Sequence, residues 1–264
     1  MKFGVEFECN YPLFSKTKRK DFRYCGEYNE YENDGFEIDY ETTLDKFLRP
    51  IFPGWDTDVH QDGDPDDNGD YDAWEFRTPP LLIGGQNTRK SLAKLREVYK
   101  VFKKTRAKGN FGCGIHIHIS MSDDWRDKRD QHADNFIRFL YPRQEIFYAI
   151  GDLDRKDYGS CDPVYHEEYG QGGDKYYGVN MHDDYPTIEF RYFPSLPDME
   201  TLKTWIMLCA ETVKLGYGKL HDECNDKLSV EDMLKPYSKP LRKRLIALMG
   251  RGKNPDKFYY SEVK

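Results

Sequence analysis

The sequence predicts an α+β fold, a mainly antiparallel sheet with helices packed on one face, and three observations lead there. Strand and helix patterns are interspersed along the 264 residues. The strand segments alternate polar with apolar residues, which leaves one sheet face polar; strands of a parallel sheet covered on both sides run apolar throughout. Tyr and Phe, 20 and 16 in number, are abundant enough that rings supply much of the core.

Taken in order, "FGVEFEC" at the start alternates and reads as a strand. The polar, aromatic stretch that follows to about Tyr40 has no assignable period. "AWEFRT" is a second short strand. From Asn87 to Lys108, Leu92, Leu95, Val98, Tyr99 and Phe102 recur at helical spacing with Lys and Arg opposite, so an amphipathic helix is expected, ending near Gly109. "GIHIHISM" alternates strictly and is a strand. A helical region from about Gln131 to Ile150 carries Pro142, which kinks or divides it. "DYGSCDPVYHEEYGQGGDKYY" reads as a long loop of the kind that forms binding lids. "YYGVNM" and "TIEFRYF" are strands joined by the turn signal "HDDYP". "DMETLKTWIMLCAETVKLG" is a helix with Leu202, Trp205, Ile206, Cys209 and Val213 inward, and the tail beyond Gly218 holds one or two short polar helices.

Composition narrows the function classes. A net charge of −7 argues against a protein that coats duplex nucleic acid. No apolar run is long enough to cross a bilayer, and the start lacks the apolar segment of a signal peptide, so a cytoplasmic protein is expected. Six cysteines are scattered without a C-x-x-C pair, which speaks against a zinc ribbon and for reduced, structural thiols. The acidic groups cluster between Asp56 and Asp72, which reads as an acidic loop. Within it "DPDDNGDYDAWE", Asp64 to Glu75, fits the calcium-loop pattern D-x-[DN]-x-[DN]-G-x5-E. Its flanks carry Pro50, Pro53 and Gly54 before it and Pro79 and Pro80 after it, and so lack the two helices that such a loop joins.

Side chains on a strand alternate between faces, and this places chemistry. Glu6 and Glu8 oppose Val5, Phe7 and Cys9. Glu75 and Arg77 oppose Trp74 and Phe76. His116, His118 and Ser120 oppose Ile115, Ile117, Ile119 and Met121. Glu189 and Arg191 oppose Ile188, Phe190 and Tyr192. Each pair alone is consistent with a solvated strand face. In one sheet, the four would gather Glu6, Glu8, Glu75, His116, His118, Glu189 and Arg191, and crowded carboxylates call for a cation. Mixed carboxylate and imidazole donors without thiolate suit Mg2+ or Mn2+, with zinc a poorer fit. An open magnesium cluster beside arginine is an arrangement for phosphoryl transfer. A metal-dependent hydrolase with a metal-bound water, and a non-catalytic calcium-binding module, remain as alternatives.

Four segments in this order, "FGVEFE", "WEFRTPPL", "GCGIHIHIS" and "VNMHDDYPTIEFRYF", resemble the amidoligases, carboxylate–amine ligases related to glutamine synthetase and glutamate–cysteine ligase. The resemblance runs from about Lys2 to Leu215. It implies a glutamine-synthetase-like catalytic domain at 1–216, with 217–264 a C-terminal helical extension packed on it. It further implies ATP and two or more Mg2+ ions, held mainly through the metals because no Walker A motif is present. Glu6, His116 and Glu189 would take the ion bridging the terminal phosphates, and Glu8 and Glu75 the ion on the acceptor side. His118 would sit near the substrate as a catalytic residue, Arg191 would stabilise the transferring phosphoryl group, and Arg77 with Arg191 would bind the nucleotide. Asp62 or Asp64, Arg155 and Lys175 are further candidates. The implied partners are a carboxylate and an amine, as small molecules or peptides, and such a compact ligase suits a phage or mobile-element gene.

Overall fold

A computed structural model describes residues 1–9, 47–54, 58–62, 73–105, 107, 109, 113–122, 127, 132–151, 161–164, 177–181, 186–218 and 228–250. The chain divides into two compact units, Gly4–Ile115 and His116–Lys264 with Met1–Phe3. The division passes through strands β1 (Lys2–Cys9) and β5 (Gly114–Ser120).

The N-terminal unit contains β1 from Gly4, β2 (Asp58–Asp62), β3 (Ala73–Arg77), β4 (Leu81–Leu82) and α1 (Gly85–Thr105). Its strand order is β2-β3-β1, with β4 also on β1. Strand β3 runs antiparallel to both neighbours, and its register on β1 sets Arg77 across from Glu6 and Glu75 across from Glu8. As the alternation requires, Val5, Phe7 and Phe76 are buried. Helix α1 covers them with Leu92, Leu95, Val98 and Phe102, and the Phe7 ring meets Tyr99 and Phe102 edge-on at 5.9 and 5.1 Å. Burial of each such side chain stabilises the unit by about 1.5–3 kcal/mol. Thr78 ends β3 by closing onto β1: its N–H donates to the Val5 carbonyl, and its Oγ1 accepts the Val5 N–H, both at 2.9 Å.

Two expectations are corrected in this unit. Asp58–Asp62, read as part of an acidic loop, is a strand paired with β3. The helix expected over Asn87–Lys108 spans Gly85–Thr105. It starts earlier because Gly84 and Gly85, at φ of +137° and +50°, turn the chain into it, and the Thr88 hydroxyl accepts the Gly84 N–H.

The C-terminal unit contains β5 from His116, α2 (Ala133–Leu140), a 3-10 turn (Tyr141–Arg143), α3 (Gln144–Ile150), β6 (Val179–Asn180), β7 (Ile188–Pro194), α4 (Met199–Gly218), α5 (Val230–Leu234) and α6 (Lys239–Met249). Its strand order is β5-β7-β6, with β6 antiparallel to β7. Pro142 divides the α2–α3 region as its missing N–H dictates. Phe147 of α3 lies against Phe190 and Tyr192, at ring distances of 5.5 and 4.9 Å, so the helix packs on the apolar side of β7.

Asp198 caps α4 by accepting the N–H groups of Glu200 and Thr201 at 2.9 Å. The five residues read as inward on α4 are all buried. The tail is less polar in effect than its composition suggests: Met233, Leu234, Tyr237, Leu241 and Leu245 are buried, and Tyr237 shares a 2.9 Å hydrogen bond with Thr212 of α4. Each unit therefore sets helices on the apolar face of antiparallel strands, the α+β arrangement. Among the described residues, no helix is long and apolar enough to cross a membrane, and Cys9, Cys113, Cys161 and Cys209 are buried.

Candidate active site

In the N-terminal unit the polar sides of β1 and β3 bring Glu6, Glu8, Glu75 and Arg77 together. The register places Glu8 directly across from Glu75, and both are almost fully buried, at 6% and 5% exposure. Like charges facing each other across a strand pair are destabilising, and burial strengthens the effect. Two compensations are present. Glu8 Oε2 accepts the Gly114 N–H at 2.5 Å. The Arg77 Nε lies 3.0 Å from Glu6 Oε1 and also forms an ion pair with Glu75.

In the C-terminal unit Glu189 is the node. It is 1% exposed, and three other side chains converge on it. His116 Nδ1 stands 3.1 Å from Oε1, the Arg191 Nη1 donates to Oε1 at 2.9 Å, and the Asn180 amide donates to Oε2 at 3.1 Å. A hydrogen on Nδ1 directed at the carboxylate would leave the His116 lone pair on Nε2, the arrangement in which an imidazole binds a cation. His118, 12% exposed, has Nε2 4.0 Å from Glu189 Oε1 and Nδ1 3.2 Å from the Thr187 hydroxyl.

The support behind Glu189 escaped the sequence reading. Asn180 is set opposite Glu189 by the β6–β7 register. Strand β6 is fixed in turn by Gly178, whose carbonyl accepts the Arg191 N–H at 2.8 Å and whose N–H donates to the Asp162 carbonyl at 2.9 Å. No larger residue fits at 178, because a Cβ there would stand 2.3 Å from the Tyr192 ring. Cys161–Val164 is held from α3: the Gln144 amide exchanges two hydrogen bonds with the Val164 backbone (2.9 and 3.1 Å), and the Tyr148 hydroxyl donates to the Cys161 carbonyl at 2.7 Å. Burial raises the Tyr148 phenol well above its ordinary pKa, so it stays a donor. The helical period marks Gln144 only as a polar residue, and its partner lies 20 residues away, so no local signal announces the pair.

The donors suit a hard divalent cation. Two buried, opposed carboxylates in one unit, and a carboxylate with an imidazole offering ligand atoms within 4.8 Å in the other, are oxygen and nitrogen donors without a thiolate. Asp62, the other acidic candidate within the described residues, lies in β2; Asp64, Arg155, Lys175 and the rest of the calcium-like loop before Ala73 lie outside them. Glu75 itself belongs to a regular strand.

Buried carboxylates, with histidines and part-exposed arginines beside them, lie on the polar sides of antiparallel strands with helices behind the apolar sides, which defines an α+β protein. The chain belongs to the amidoligases: residues 1–174, about two thirds of it, match the family described as "Putative amidoligase enzyme". This places it, at the level of class, among the ligases. The matched residues carry Glu6, Glu8, Glu75, Arg77, His116 and His118, whereas β6 and β7, with Asn180, Glu189 and Arg191, lie beyond them. No curated protein gives a significant match.

Proposed function

We propose that this protein is an ATP-dependent carbon–nitrogen ligase that forms an amide, peptide or isopeptide bond through an acyl phosphate. The observation that carries the reading is the buried Glu189 carboxylate, tied at once to His116, Arg191 and Asn180, in a member of a ligase family. By the family resemblance, His116 and Glu189 of the C-terminal unit are candidate ligands for Mg2+ or Mn2+, and so are Glu6, Glu8 and Glu75 of the N-terminal unit. When bound, such ions supply neutralisation of the phosphates and of the incoming carboxylate.

The residues of the chain then act on two steps. In the first, a substrate carboxylate oxygen bonds to the γ-phosphorus while the bond from phosphorus to the ADP oxygen breaks. Arg191, 19% exposed and anchored by Glu189, presents its guanidinium to the charge on the transferring group, and Arg77 binds the nucleotide phosphates. In the second, the amine nitrogen attacks the acyl carbon, loses a proton and expels phosphate. His118, oriented by Thr187, accepts that proton.

Glutamine in place of Glu6 or Glu189 removes a carboxylate from the polar face while preserving its shape. Calorimetric titration of ATP with Mg2+ present is expected to give binding in the unaltered protein, and loss of most of it in Glu6→Gln and Glu189→Gln. Undiminished binding in both variants contradicts the assignment. A protein that hydrolyses substrates with metal but ignores ATP is a hydrolase instead.

A further inference from the structure

Arg77 stands among the carboxylates of the N-terminal unit in a way that bears on how that unit takes up a cation. Its own strand sets it two residues from Glu75 on the same face, and the β1–β3 register sets it directly across from Glu6. One nitrogen, Nε, reaches both: 3.0 Å from Glu6 Oε1 and in an ion pair with Glu75 Oε1. The Glu75 side chain is 6% exposed and held on a central strand, whereas that of Arg77 is 33% exposed and sits on a flexible stem. The Glu75 carboxylate is therefore shut away from water, whereas the guanidinium has a route out to it.

A single guanidinium engaging the oxygens proposed as metal ligands competes with the metal for them. Without any cation, Glu75 would face Glu8 across the strands with no positive charge to offset the repulsion. We infer that Arg77 is a built-in counter-ion that neutralises Glu6 and Glu75 in the metal-free protein and is displaced from them when Mg2+ or Mn2+ binds, so that this residue sets the cation affinity. The inference rests on the metal reading given under Proposed function. It adds that cation uptake and arginine release are one event.

The test uses the full chain, freed of metal with a chelator and dialysed, with Mn2+ as the probe and the signal of free Mn2+ in electron paramagnetic resonance as the readout. Arg77→Gln removes the charge, and Arg77→Met removes it while keeping an apolar stem. Both are expected to bind Mn2+ about tenfold more tightly than the unaltered protein, since one nearby positive charge no longer opposes the ion. Both are also expected to melt at a lower temperature without metal and to recover most of the difference at saturating Mn2+. Adding Glu75→Gln to Arg77→Gln should abolish the gain.

Equal or weaker Mn2+ binding in both neutral variants overturns the inference while leaving the metal reading standing. Absence of Mn2+ binding in every form overturns both. A neutral variant that folds only when Mn2+ is added supports the inference, and one that stays unfolded with Mn2+ while its partner variant shows no gain in affinity refutes it.

Discussion

Replacing Glu189 by Gln is the most informative single change, and its size can be worked from the contacts. The carboxylate engages His116 (3.1 Å), Arg191 (2.9 Å) and Asn180 (3.1 Å). The amide keeps one oxygen, which still serves His116 and Arg191, and its NH2 then faces Asn180. Asn180 can rotate its own amide to present Oδ1, so that bond is recoverable. What is lost is charge assistance toward Arg191 and His116, about 1–1.5 kcal/mol for each bond. Arg191 keeps partial solvation at 19% exposure, which holds the loss below the roughly 3–5 kcal/mol of a fully buried broken pair. The expected destabilisation is about 2–3 kcal/mol, or roughly 5–10 °C in Tm. Urea denaturation followed by far-ultraviolet circular dichroism measures it, with an unchanged m-value showing that the unfolded state is unaffected. A loss below about 0.5 kcal/mol would refute the reasoning, because the carboxylate would then not be holding these groups.

Two further outcomes follow from packing and titration. Gly178→Ala pushes a methyl against the buried Tyr192 ring, 2.3 Å from Cε1, and so should cost about 1–3 kcal/mol or more; thermal melting checks it, and a neutral result would mean that β6 shifts freely. The buried Tyr148 and Tyr237 phenols have folded pKa values raised above the ordinary 10.0 by desolvation, so the stability they confer is complete below pH 10 and falls as the pH rises beyond it. Each contributes about 1.4 kcal/mol per pH unit in that range, and Tyr237→Phe should remove its share of the slope in urea melts between pH 9 and 11; an unaltered slope would contradict the burial argument.

The regular elements were legible where one face is apolar and the other polar. Strands β1, β3, β5 and β7 and helices α1 and α4 declare themselves through period 2 or 3.6, because their apolar residues must face the core. Strand β2 did not. Among the described residues it pairs with β3 alone, at the end of the strand order, and such a strand needs no apolar alternation; "DVHQD" looks like loop. The two residues of β4 are too few to show a period.

For the site, the sequence placed Glu75 with Arg77, and Glu189 with Arg191, on shared faces because each pair is two residues apart. The family resemblance assigned Glu8 and Glu75 to one ion, but that they stand directly across from each other, and that Arg77 reaches Glu6, depends on the β1–β3 register. The clamp from Gln144 and Tyr148 to Cys161–Val164 was equally hidden, because side chain to backbone hydrogen bonds between distant segments leave no periodic trace.

Nucleotide dependence is the central claim, and isothermal titration of ATP into the purified protein tests it most directly, first with Mg2+ and then with EDTA. Binding that appears with Mg2+ and vanishes with EDTA is the predicted result, since the carboxylates of the polar face can meet a polyphosphate only with cations between them. Absence of ATP binding under both conditions, with and without a panel of carboxylates present, would contradict the ligase account.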